Sequence, residues 1–111
     1  QLALAILLSL IQKHNTRTGP CGILVFLPGI AVIDDVYATL TLALSEYPNV
    51  NVLAVHSHVE KTDQERAVRQ LDPGEIRIIL ATNIAESSVT IPDVRYVLDY
   101  GLHRQVTYLE I

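Results

Sequence analysis

The run Gly22-Ile-Leu-Val-Phe-Leu27 carries no polar side chain at any position and stops abruptly at Pro28-Gly29. Successive residues of a strand face opposite sides of a sheet, so a run that is apolar throughout must be covered on both faces. That requirement points to a central strand of a parallel sheet. The spacing predicts three more strands, at Asn51–Val55, Ile76–Ala81 and Val94–Asp99. Helical patterns lie before and between them. Leu4, Leu7, Leu8 and Ile11 recur at three- and four-residue spacing within Gln1–His14, and Ile33, Val36, Tyr37, Leu40 and Leu44 do so from about Ile30 to Glu46. The polar segment Lys61–Gln70 reads as a surface helix closed by Asp72-Pro73-Gly74, and Thr82–Pro92 as a loop with a helical turn. Parallel neighbours need crossover connections. The alternation therefore predicts an α/β fold, a mostly parallel sheet with helices on both faces.

A chain of 111 residues suits one domain, and its 50% apolar content suffices for a core. The single cysteine, Cys21, excludes an internal disulfide and a cysteine-cluster zinc site, and is expected to be a small buried hydrophobe in a reduced, intracellular setting, cytoplasmic or nuclear. No apolar stretch is long enough to span a bilayer, and the opening Leu2–Leu8 lacks the basic flank and cleavage site of a secretory signal. No membrane partner is expected. A net charge of -4 leaves no global field to gather a polyanion, and five Tyr, one Phe and no Trp make a poor platform for stacking bases. Any nucleic-acid contact should be local and made to the backbone.

Ligand sites of open α/β sheets collect beyond the carboxyl ends of the strands. Here those ends are Pro28-Gly29, His56-Ser57, Thr82-Asn83 and Tyr100-Gly101. The densest polar cluster comes after the third strand, where Thr82, Asn83, Ser87, Ser88 and Thr90 fall within Ala81–Pro92. Short hydroxyl and amide groups beside helix-start N–H groups hold phosphate oxygens without reading sequence. The same residues suit a capping loop, with Thr82 or Asn83 as N-cap and Glu86 in the first turn. Spacing alone favours the capping loop and leaves the phosphate site open. His56 and His58, with Glu60 beyond, lack the further ligands of a metal site. His103-Arg104 could suit a phosphate in principle, but Arg104 is read as a strand-end charge or a partner of Asp99. Asp34-Asp35 is expected to complement the dipole at the start of its helix. Lys61, Arg66, Arg69 and Arg77 are expected on a solvated face.

Ala81-Thr-Asn-Ile-Ala-Glu-Ser-Ser-Val-Thr-Ile91 resembles motif V of the DEAH-box family of RNA helicases. Companion segments stand in the family's order. Ile23-Leu-Val-Phe-Leu-Pro-Gly29 is similar to motif IV, His56-Ser57 with Gln64 to motif IVa, and Tyr96-Val-Leu-Asp-Tyr-Gly101 with Arg104 to the segment after motif V. These landmarks cover most of the chain. The resemblance implies that residues 1–111 form a second RecA-like domain, a three-layer helicase C-terminal domain, incomplete at its C-terminal end. The strand-like Val106–Ile111 would then be one side of an interrupted hairpin, unpaired and open to strand addition by a second copy.

By that resemblance, two RecA-like domains close on ATP and Mg²⁺, and the first supplies the phosphate loop and the acidic metal-binding motif. Thr82, Asn83 and Ser57 would contact RNA phosphates, while Ser88 and Thr90 would face the nucleotide and couple its state to the grip. The first RecA-like domain, the expected partner, would hold ATP and Mg²⁺. No phosphate loop, no Asp-Glu-x-His and no arginine-finger motif occurs in this chain, so alone it should hydrolyse no ATP and contain no catalytic residue. Two positions depart from the family pattern. Pro92, with Asp93 next to it, stands where an acidic residue often reaches the ribose, and Val68 where an aromatic often stacks on a base. Ser87–Val94 resembles the branch holding Tudor-containing germline helicases. The departures keep an alternative in view, a catalytically inactive helicase-like scaffold for RNA or protein. An unrelated nucleotide-binding α/β domain fits less well, because the chain lacks a glycine-rich strand-to-helix turn.

Overall fold

A computed structural model of the chain describes residues 2–14, 20–55, 69–82, 93–100 and 106–110. The elements are α1 (Leu2–His14), β1 (Cys21–Phe26), α2 (Ile30–Ala43), β2 (Val50–Val55), β3 (Ile76–Ala81), β4 (Val94–Tyr100) and β5 (Val106–Glu110). The sheet order is β2-β3-β1-β4-β5; β2, β3, β1 and β4 are parallel and β5 runs antiparallel to β4. This is the α/β architecture that the apolar runs demand. All six residues of β1 and all six of β3 are buried, as central strands covered on both faces require.

Strand parity sorts the core into two layers. Ile23 and Val25 of β1, with Ile76, Ile78 and Leu80 of β3 and Tyr96 and Leu98 of β4, face α1 and α2. Leu7, Leu10 and Ile11 of α1 and Ile33, Val36 and Leu40 of α2 close that layer, each helix presenting residues at helical spacing. Leu24, Phe26, Leu53, Val55, Ile79 and Ala81 form a second buried cluster on the opposite face. Cys21 is fully buried at the start of β1, as its reading as a small hydrophobe expects.

Several expectations are corrected. Asp34 and Asp35 belong to the second turn of α2, whose first turn holds no acidic residue, and the dipole effect fades beyond the first turn. Tyr37, expected on the buried side, is 40% exposed. Val106–Glu110 is paired on one side, against β4 from Tyr96↔Glu110 to Tyr100↔Val106, and stands last in the sheet, so among the described strands only its outer edge is open. Arg77 is not on a solvated face; it is 1% exposed within β3. The predicted helix over Lys61–Gln70 lies outside the described residues except for Arg69 and Gln70, which are not helical.

Candidate nucleic-acid interface

The register aligns the carboxyl ends of the parallel strands. Val55 pairs with Ala81, Ala81 with Phe26, and Phe26 with Asp99. The connections leaving these strands therefore emerge from one edge. Thr82, directly after β3, is half-buried there. Beside it the Leu27 N–H donates to the Ala81 carbonyl at 2.8 Å, extending the β1–β3 ladder by one residue. Pro28 and Gly29 then turn the chain into α2, and the Ile33 N–H closes the first helical bond on the Gly29 carbonyl at 3.0 Å. No side chain caps this helix start, and a Cβ placed on Gly29 would meet nothing within 4 Å. The edge thus combines a threonine hydroxyl with the N-terminal amides of α2, a donor set that suits anionic oxygens. Of the other residues assigned to this site, Ser57, Asn83, Ser88 and Thr90 lie outside the described residues. So do His56, His58, Glu60, Gln64, Val68, His103 and Arg104.

A second polar cluster, which the sequence pattern did not single out, occupies the opposite edge. Asp72-Pro73-Gly74-Glu75 forms a tight turn, closed by the Glu75 N–H on the Asp72 carbonyl at 3.0 Å, with Gly74 at φ 82. Proline before a glycine of positive φ is the pattern of a type II turn. The turn leads Glu75 into a buried position directly before β3. One Glu75 carboxylate oxygen accepts from the Asp72 N–H at 2.9 Å; the other accepts from Asn51 Nδ2 at 3.0 Å and Arg77 Nη2 at 3.1 Å. Arg77 Nη1 donates to the Arg69 carbonyl. Burial pushes the Glu75 carboxyl up, but the Asp72 N–H, the Arg77 charge and the Asn51 and Arg77 hydrogen bonds outweigh it and hold Glu75 below its ordinary value. Burial pushes the Cys21 thiol up to about 11, opposed only in part by Arg95. One signal for the network does lie in the sequence. An arginine inside a strand covered on both faces must be buried, and a buried charge needs a partner.

Asp93 also belongs to that amino edge. Its carboxylate accepts from Gln70 Nε2 at 2.9 Å and its carbonyl from the Gly22 N–H at 2.7 Å. From Gly22 to the carboxyl end of β1 at Phe26 the strand covers roughly 13 Å at about 3.3 Å per residue, so this point is well removed from the ligand edge.

Open, mostly parallel α/β sheets as a class bind ligands beyond the carboxyl ends of their strands. Residues 3–110 match the family model described as the helicase conserved C-terminal domain, and the chain belongs to that family. It is 40% identical over 108 residues to the human "ATP-dependent RNA helicase DHX30", covering 96% of this chain and 9% of that one. It is 43% identical over 92 residues to the "Probable ATP-dependent RNA helicase spindle-E" of Drosophila virilis, covering 81% and 6%. These identities do not favour one branch of the family. The chain spans less than a tenth of the length of either relative. Among solved structures, the crystal structure of the E. coli DExH-box NTPase HrpB superposes with a TM-score of 0.59 at 23% identity, covering 94% of this chain and 14% of that one. That likeness supports the RecA-like fold.

Proposed function

We propose that this domain is the RNA-gripping, ATP-coupling half of an ATP-dependent RNA helicase, the second of two RecA-like domains. The observation that carries the reading is the position of Thr82: half-buried at the carboxyl end of β3, one residue beyond the Ala81 carbonyl that anchors the turn into α2. There a hydroxyl and the uncapped amides of α2 suit phosphate oxygens of an RNA backbone. Asn83 and Ser57 join Thr82 on RNA in this proposal, and Ser88 and Thr90 address the nucleotide. Neutral donors fit the task. A net charge of -4 offers no electrostatic hold, and contacts that must release in every cycle gain from modest individual strength. ATP and Mg²⁺ would lie between the two domains, held chiefly by the first; closure on the bound triphosphate and opening after its hydrolysis would move these contacts along the strand.

A catalytically inactive scaffold is the second reading. Asp93 favours it, because its carboxylate is engaged by Gln70 at the amino edge instead of standing free for a ribose. Thr82→Ala in the full-length protein tests the first reading. Loss of one phosphate contact, about 1 kcal/mol, should lower RNA affinity and RNA-stimulated ATPase roughly fivefold at unchanged thermal stability. Wild-type values for both would overturn the assignment, and a wild-type protein without ATPase activity would establish the scaffold.

A further inference from the structure

Opposite the buried side of α2, which holds Ile33, Val36 and Leu40, the helix exposes Ala31, Asp34, Asp35, Ala38, Thr41 and Leu42. Leu42 is 80% exposed; with Tyr37 it makes up the exposed large hydrophobics among the described residues. A lone exposed leucine is ordinary on a protein surface. The surroundings of this one are not. Asp35 and Leu42 lie seven residues apart, so they stand within about 20° of each other around the axis and roughly 10 Å apart along it. Ala31 and Ala38 keep the surface beside them low.

The charge on this face has one sign. No lysine or arginine occurs from Thr18 to Glu60, whereas Asp34, Asp35 and Glu46 are exposed on α2 and the turn after it. The last turn of α2 contains no basic residue. Glu46 follows it, where the helix dipole is already negative. That arrangement disfavours the helix by itself and favours an incoming cation. Nearby hydroxyls are engaged by their own backbone: Thr39 Oγ1 donates to the Asp35 carbonyl and Ser45 Oγ to the Leu42 carbonyl, each at 3.0 Å. A partner therefore meets carboxylates around an apolar knob, a surface that repels RNA phosphates.

We propose that the exposed face of α2 docks a basic amphipathic helix of a partner protein, with an apolar side chain against Leu42 and lysine or arginine side chains on Asp35 and Glu46. Charge complementarity selects the partner. The alanines allow a second helix to approach, since interaxial distance follows the size of the side chains at the contact. Seven- and four-residue steps from Asp35 to Leu42 to Glu46 match the spacing at which a helix presents anchors. One helix face is small beside the roughly 1,600 Å² of a standard interface, so the complex is transient and sensitive to salt. Leu42 lies roughly 18 Å along α2 from its first residue, at about 1.5 Å per residue, away from the amides assigned to RNA.

The test is fluorescence anisotropy of a labelled peptide of roughly five helical turns, built from Ala, Gln, Leu and Lys with Leu and Lys on one face, titrated with the full-length protein at low salt. A control peptide has Glu for every Lys. The Lys peptide should bind with a Kd on the order of micromolar and the Glu peptide at least about tenfold more weakly. Leu42→Gln should weaken the Lys peptide about tenfold at unchanged Tm and RNA affinity. Asp35→Lys with Glu46→Lys should reverse the preference between the two peptides, a gain that misfolding does not produce. Failure of the full-length protein to bind the Lys peptide overturns the inference, as does equal binding by wild type and Leu42→Gln. Self-association that Leu42→Gln abolishes would assign the face to a second copy, and RNA affinity lowered by Leu42→Gln would assign it to RNA; either result overturns it too.

Discussion

Arg77→Met removes a buried guanidinium while keeping a flexible stem of similar length. The native side chain is 1% exposed and bonds the Glu75 carboxylate at 3.1 Å and the Arg69 carbonyl. Its loss strands Glu75, 7% exposed, with the Asp72 N–H at 2.9 Å, Asn51 Nδ2 at 3.0 Å and the half-exposed Arg69 guanidinium at 3.7 Å. Deleting one partner of a buried ion pair costs about 3–5 kcal/mol. Two surviving hydrogen-bond donors and the Arg69 charge bring the expected loss to about 2–4 kcal/mol, a large part of the roughly 5–15 kcal/mol that typically holds a domain. Urea unfolding at neutral pH measures it. Adding Glu75→Gln removes the stranded charge and should return at least about 1 kcal/mol. A single variant that loses under about 1 kcal/mol, or a double variant no better than the single, would refute the reasoning. The pH dependence gives an independent check. Because Glu75 is held below 4.5 in the fold, the unfolded chain takes up the proton first on acidification. The contribution of Glu75 is complete above that ordinary value and is lost as pH falls through the lowered folded value. Without Arg77, burial meets less opposition and the acid limb of the stability profile should move to higher pH.

Gly22→Ala should destabilise by about 1–3 kcal/mol, since its Cβ would meet the Asp93 carbonyl oxygen at 3.0 Å and the Val94 Cα at 3.2 Å, both backbone atoms; a midpoint equal to that of wild type in urea would show that β4 yields freely. The Cys21 thiol, buried and pushed from 9.0 to about 11, should react with a maleimide at about pH 8 at least roughly a hundredfold more slowly in the native protein than in urea; equal rates would contradict its burial. In the same protein, stability should fall as pH rises from 9.0 toward about 11, because the unfolded thiol ionises before the folded one.

The positions of the elements were legible in local pattern. Ile76–Ala81 is a strand over the predicted range, β2 and β4 each differ from prediction by a residue at one end, and β1 is displaced by one residue at both ends, because an apolar run of that length has few other ways to leave water. The helical spacing of Ile33, Val36 and Leu40 likewise announces the buried side of α2. Family membership was legible in the Ala81–Ile91 block and its companions, and the matched family covers residues 3–110. Arg77 was misread because its charge was weighed as a surface property, apart from the otherwise apolar strand that encloses it.

Chain order alone contains no strand order. That β3 lies between β2 and β1, and that β4 joins β1 from the other side, decides which carboxyl ends share an edge with Thr82. It also decides that Gln70 meets Asp93, 23 residues away. Strand and helix arise from side-chain periodicity over a few residues, so they can be read locally. Proximity between distant residues depends on how twisted layers pack and on which hydrogen-bonding edges remain to be paired, and those are satisfied only by the folded molecule as a whole.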